Sequence, residues 1–351
     1  MSPNRTIGIL GGGQLAKMLA TAAAELGFNT NIYCPDRDCP AAQVANETVV
    51  GSYDNDDKLV DFAKNVDVLT YEFENIETKA LEELEKVVKI RPSIKALKIC
   101  QDRYTEKSYL NALDIKTTQF YKIDETQDIE ELLIKVKKPI LIKTRKLGYD
   151  GKGQVLVKTQ NDIKENFREN QLSPSIAEEV IRFDKELSVI IVRNKEGTIK
   201  TFEPGENMHQ HGILLTTTLP SSIGKELLND ASIIAKKIVD DLDYVGVMGV
   251  EFFLKERQLF VNEIAPRVHN SGHWTVDGSY SSQFQQHIRA IMDLPLLSTE
   301  RHSDIIMYNL IGKVTSDLIN DELAKVYIYG KKETRPGRKM GHINFIKKKG
   351  S

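Results

Sequence analysis

Short apolar runs separated by helical patterns open this chain. Residues 6–10 (TIGIL) read as a strand, a helix follows through Leu26, Gly27 stops it, and residues 29–33 read as a second strand. Residues 47–50, 66–71 and 88–90 read as further strands, with helices over 56–64 and 78–86 between them. This alternation predicts a parallel sheet covered by helices, ending near Pro92. Residues 94–113 read as one helix, with Arg103 and Lys107 one turn apart on a solvated basic face.

The pattern then changes. Strands over 118–123, 140–144, 154–157 and 175–180, with helices over 126–135 and 161–169, predict a small separate unit. Its middle strands flank RKLGYDGKGQ (145–154), a glycine-rich hairpin tip with cations and a tyrosine, and Lys143 stands on the strand before it. The segment suits a phosphate cover, but Gly153 is followed by Gln154, so the P-loop pattern is not met. Strands over 187–193 and 198–201 follow, then a polar loop with His209 and His211 and a helix over 229–242. With no cysteine or third nitrogen at a metal-ligand spacing, His209 reads as a neutral hydrogen-bonding group. From Ser298 the chain builds a small β-rich cap, with strands over 305–311, 324–329 and 342–346.

The chain is organised around residues 246–264. Two apolar strands, 246–254 and 259–264, flank a polar turn, and each carries one carboxylate, Glu251 and Glu263. A four-residue loop puts Glu251 opposite Asn262. A three- or five-residue loop, or a bulge in the ladder, puts it across from Glu263. Facing carboxylates repel unless a divalent cation lies between them. The polar run Arg267, Val268, His269, Asn270, Ser271 follows, where a substrate would sit, and Arg267 can neutralise an anion.

Composition narrows the function. The 351 residues suggest two or three domains, and 40% apolar with 28% charged content is ordinary for a globular protein. A net charge of −2 gives no basic field for nucleic acid. Three cysteines (Cys34, Cys39, Cys100), no signal-like start and no membrane-length apolar run predict a cytoplasmic protein with no disulfide framework. Gly11, Gly13 and Ala16 fit the dinucleotide fingerprint G-x-G-x-x-A, with Asp36 where its ribose-binding acid would be, so an NAD(P)-binding oxidoreductase or binding module is one reading. More generally, the loop predicts an anion near 12–15.

The stretches GILGGGQLAKM (8–18), TYEFEN (70–75), QDRYTEK (101–107), KTRKLGYDGKGQ (143–154), VEFF (250–253), VNEIAPRVHNSGHWT (261–275) and RKMGHI (338–343) resemble the ATP-grasp superfamily. Within it they are similar to the N5-carboxyaminoimidazole ribonucleotide synthetases of purine biosynthesis. Ala16 departs from the family's frequent glycine, and the chain is short after His342. Another ATP-grasp ligase, or a formate-dependent transferase, is the nearest alternative, against which the APRVHNSGH run (265–273) speaks.

The resemblance implies a mixed α/β fold: a Rossmann-like parallel sheet (1–98), an ATP-grasp domain (99–297) with a lid over about 117–181, and a β-rich C-terminal domain (298–351). It implies ATP, Mg²⁺ and bicarbonate, aminoimidazole ribonucleotide as substrate, a homodimer, and neither nucleic acid nor membrane as partner. Glu251 and Glu263 would hold the metal, with Asn262 assisting. Arg103, Lys143, and Tyr149, Asp150, Gly151, Lys152, Gly153, Gln154 and Val155 would take the polyphosphate. Glu178, Glu179, Val180, Ile181, Glu186 and His209 would take the nucleoside. Arg267 and His269 would stabilise carboxyphosphate, with Tyr149, Asp150 and Glu74 orienting the imidazole amine. Gln14, Leu15, Asn270, Ser271, Lys331 and Arg338 would bind the ribonucleotide, so the glycine loop's anion becomes the substrate phosphate.

Overall fold

The structure, a computed structural model, describes residues 5–148, 153–166, 174–312 and 322–348. Its first layer is the expected parallel sheet. β1 (Thr6–Leu10), β2 (Asn29–Cys34), β3 (Glu47–Val50), β4 (Val68–Tyr71) and β5 (Lys89–Ile90) stand in the order β3-β2-β1-β4-β5. α1 (Gln14–Glu25) buries Leu15, Ala16, Leu19, Ala20 and Ala23, and Gly27 follows it with φ 77°. α2 (Asp56–Ala63) and α3 (Thr78–Leu84) complete the cover, α2 capped by the Asn55 side chain.

The long helix expected over 94–113 is two helices, α4 (Ile94–Cys100) and α5 (Arg103–Ala112). The break is chemical. Asp102 turns its carboxylate onto the backbone N–H groups of Tyr104 and Thr105 at 3.0 and 3.1 Å, starting a new helix where the apolar period runs on. Lys107 does not lie on a solvated face; it is 2% exposed.

The lid unit is a four-stranded sheet of β6 (Phe120–Ile123), β7 (Ile140–Thr144), β8 (Gln154–Val157) and β9 (Ser175–Glu179), ordered β6-β9-β7-β8. α6 (Thr126–Val136) and α7 (Gln160–Asn166) pack on it around Ile129, Leu132, Ile140, Ile142 and Ile163.

The central nine-stranded sheet carries the chemistry. β10 (Lys185–Arg193) pairs with the short β11 (Ile199–Thr201), and α8 (Lys225–Asp241) covers it. β12 (Gly205–Gln210) and β13 (Ile213–Leu219) form a hairpin where the sequence suggested a polar loop. The signal was hidden because β12 is polar and its turn is His211–Gly212, both at positive φ. β14 (Gly246–Lys255) and β15 (Gln258–Ala265) are the expected hairpin. After the short α9 (Thr275–Gly278) and α10 (Gln283–Ile291), the strands β16 (Ser303–Ile311), β17 (Ala324–Ile328) and β18 (Lys339–Lys348) form the C-terminal cap. Their sheet is continuous with the central one through β13 and β16. Among the described residues, no helix is long and apolar enough to cross a membrane.

Candidate active site

The two carboxylates meet through a bulge. The β14–β15 turn is two residues, Glu256 and Arg257, both at positive φ, with Lys255 paired to Gln258. Continued unbroken, that register sets Glu251 against Asn262. The ladder instead shifts between Glu251 and Phe252, so Phe252 faces Val261 and Glu251 faces Glu263, leaving Asn262 as the extra residue. Of the alternatives read from the sequence, the bulge holds.

A ligand atom of His269 lies within 4.8 Å of one from each carboxylate. Burial and the facing Glu263 raise the Glu251 carboxyl to about 7. Burial also opposes ionisation of Glu263, but the Arg103 guanidinium outweighs it and holds this carboxyl down at about 2. Arg103 reaches Glu263 at 3.2 Å and the Gly148 carbonyl at 3.1 Å. Two hard carboxylates that repel across a ladder fit a divalent cation.

The loop after β15 is held from below. Gln283, fully buried, accepts from the His269 N–H at 2.8 Å and donates to its carbonyl at 2.7 Å. Burial and Arg267 push the His269 imidazole down to about 3, so it is neutral. Its Nδ1 accepts from the Ser271 N–H at 3.4 Å, which leaves the ring proton on Nε2, 3.5 Å from Glu251. The Ser271 hydroxyl bridges Nδ1 and Ser188 at 2.8 and 2.7 Å. Ser271 is thus a support for His269, not an exposed binding group. Arg267 pairs with Glu74 at 2.7 Å, so that carboxylate acts on the site through the guanidinium. The Arg267 Nε and both ends of the Asn270 amide are buried without a hydrogen-bond partner among the described residues.

Lys143, on β7, pairs with Glu178 of β9 at 3.0 Å. Glu178 is 3% exposed and also meets Lys107 at 3.4 Å and the Thr118 hydroxyl at 2.8 Å. Its side chain thereby ties the two lysines and the lid strand together. Glu179, Val180 and Ile181 run from β9 into the linker, and exposed Val180 and Phe183 give it apolar surface. Phe183 stacks on Phe253 with ring centroids 4.6 Å apart.

His209 Nδ1 lies 2.9 Å from Glu186. Burial opposes a charge on His209, but Glu186 and the Glu251 and Glu263 carboxylates outweigh it and raise its pKa. Gly153, at φ 73°, Gln154 and Val155 flank the glycine-rich tip. Tyr149, Asp150, Gly151 and Lys152 lie outside the described residues.

The glycine loop carries a correction. Glu72, at the end of β4, accepts from the Gly13 N–H and, at 2.9 Å, from the Ala16 N–H, capping α1 with the chain's own carboxylate. A Cβ on Gly11 would lie 2.3 Å from the Glu72 side chain, and one on Gly13 2.7 Å. These glycines make room for Glu72, which explains the fingerprint without a dinucleotide. Beside them a cavity of about 350 Å³ is lined by Gly12, Gly13, Gln14, Asp36, Tyr53, Lys331 and Arg338. Leu15 is buried in the first core, outside that lining.

Asp102 is one of the supporting residues that the sequence pattern does not single out. Besides capping α5, it binds Arg145 through Nε at 3.0 Å and Nη2 at 2.7 Å, tying the start of α5 to the glycine-rich hairpin. The aspartate at a helix start was its only local signal.

Comparison with known proteins agrees with this geometry. Residues 4–101 match the ribonucleotide synthetase preATP-grasp domain, 108–284 the ATP-grasp domain, and 306–351 the phosphoribosylaminoimidazole carboxylase C-terminal domain. The N5-carboxyaminoimidazole ribonucleotide synthase of Brucella melitensis is 45% identical over 354 residues, covering 99% of this chain and 98% of that one. The crystal structure of the synthetase from Thermus thermophilus superposes with a TM-score of 0.91 at 40% identity, covering 97% and 93%. The synthase from Aspergillus clavatus, crystallised with ADP and 5-aminoimidazole ribonucleotide, gives a TM-score of 0.91 at 32% identity, covering 99% and 94%.

Proposed function

This chain belongs to the N5-carboxyaminoimidazole ribonucleotide synthase family of ATP-grasp enzymes, and from that premise we propose how its residues divide the reaction. It is an ATP-dependent ligase that carboxylates 5-aminoimidazole ribonucleotide in purine biosynthesis. In our reading, bicarbonate attacks the γ-phosphate of ATP to give carboxyphosphate and ADP. The CO₂ unit then passes to the exocyclic amine, releasing phosphate. The observation that carries the reading is Glu251 facing Glu263 with Arg103 and His269 beside them.

Glu251 and Glu263, with Asn262, would hold Mg²⁺, which would neutralise β- and γ-phosphate charge. Arg103 and Lys143 add cations from α5 and the lid, and with the 149–155 segment would neutralise the polyphosphate charge. Val180 and Ile181 offer adenine an apolar linker, and Glu186, held by His209, takes the ribose hydroxyls. Arg267, steered by Glu74, and the Nε2–H of His269 donate to the carboxyphosphate oxygens. Tyr149 and Asp150 would orient the imidazole amine, near the unpartnered Asn270. Lys331, Arg338 and Gln14, which line the cavity beside Glu72, would receive the 5′-phosphate. We take the domains as 1–98, 99–297 and 298–351, with the lid over about 117–181, and the working form as a cytoplasmic homodimer.

The test is ADP release by purified protein. It should rise by about tenfold or more only when bicarbonate and the ribonucleotide are both present, because positioning of all reactants lowers the barrier. Release indifferent to the ribonucleotide would sink the reading. Arg338→Ala should raise the KM for the ribonucleotide by about ten- to a hundredfold, the worth of a charged hydrogen bond. An effect confined to the KM for ATP would contradict the phosphate role.

A further inference from the structure

We propose that Glu106 and Lys107 are positioning residues that hold β15 in its bulged register and so place Glu263 across from Glu251. Neither residue touches nucleotide in the reading above, yet both are nearly sealed from solvent, at 3% and 2% exposed. Their partners explain why.

Antiparallel strands turn alternate residues toward each edge. On the outer edge of β15, the Val261 N–H goes to the Lys116 carbonyl at 2.8 Å. The next outward groups would regularly belong to Glu263. Instead the Asn262 carbonyl accepts from the Lys107 ammonium at 3.2 Å, and the Ile264 N–H donates to the Glu106 carboxylate at 2.6 Å. The phase slips by one residue between 261 and 262, where the ladder to β14 also shifts.

Glu106 and Lys107 therefore bind groups that face them only in the slipped phase. In the unslipped register Glu251 would face Asn262, Glu263 would turn to the opposite face, and both buried side chains would lose these partners. The clamp reaches further. Lys107 also donates to the Thr118 hydroxyl at 3.2 Å and lies 3.4 Å from Glu178, which holds Lys143. One ammonium thus ties the metal-side strand to the lid's phosphate-side lysine.

The proposal rests on the metal reading above, and calorimetric titration of the full chain with ADP, with and without Mg²⁺, separates the two. The readout is the ratio of the two dissociation constants. Glu106→Leu and Lys107→Met should cut that ratio by about tenfold or more, the usual cost of losing a group that orients a metal ligand. Glu106→Gln keeps an acceptor for the Ile264 N–H and should hold the ratio within about twofold. A wild-type ratio in the folded Leu and Met variants would overturn the clamp. So would a tenfold loss in Glu106→Gln, which decides the matter even where Glu106→Leu does not fold. A wild-type chain indifferent to Mg²⁺ would remove the metal reading itself.

Discussion

Glu263→Gln is expected to lower kcat for ADP release by about three orders of magnitude while leaving the fold intact. Glu263 is the carboxylate that stays ionised, held at about 2 against burial by the Arg103 guanidinium. Glutamine keeps the shape and one neutral acceptor but removes the charge a hard cation requires. Removing that charge also relieves the facing Glu251, whose raised carboxyl owes part of its shift to Glu263. Against this relief, Arg103 loses its partner at 3.2 Å but keeps the Gly148 carbonyl. The two changes oppose each other, so Tm should move by no more than about 2 °C, near 1 kcal/mol in a chain of this size. Turnover and thermal unfolding of the same preparation check both halves. Undiminished turnover would remove the two-carboxylate metal site.

Which features the sequence made legible follows from how local their causes are. The parallel sheet and the β14–β15 strands announce themselves by apolar period and turn residues, both encoded within a few positions. The register of that hairpin does not, because the groups that select it sit on α5, 158 residues from the bulge. The same holds for Lys107, whose spacing from Arg103 suggests a shared solvated face. Its environment is set by Glu178 and Thr118 from the lid unit. The glycine loop was legible as an anion site and ambiguous as to the anion. Gly11 and Gly13 would look the same whether they cradle a pyrophosphate, a substrate phosphate or, as found, Glu72. β12 and β13 were hidden because Asn207 and Thr217 are buried polar residues, the Thr217 hydroxyl donating to the Asn207 amide oxygen at 3.0 Å, which breaks the apolar alternation.

Glu178→Ala is expected to destabilise the chain by about 3–5 kcal/mol, the cost of breaking a buried ion pair by removing one partner. The residue faces Lys143 at 3.0 Å and Lys107 at 3.4 Å, so truncation strands two ammonium groups, one of them 2% exposed. At about 1.4 °C per kcal/mol for a chain of this size, Tm should fall by about 5 °C. Glu178→Gln retains an acceptor for the Thr118 hydroxyl and isolates the charge. Burial pushes the Glu178 carboxyl up from its ordinary 4.5, but Lys143 and Lys107 prevail and hold it at about 2. A carboxyl depressed by folding contributes stability that is complete above 4.5 and is lost as the pH falls toward 2. The wild-type chain should therefore lose Tm across that window more steeply than Glu178→Gln, whose amide does not titrate. Thermal melts of the two proteins between those limits read the difference. Parallel curves would mean that the carboxylate is not the counter-charge of the two lysines, and the link from Lys107 to the lid would fail with it.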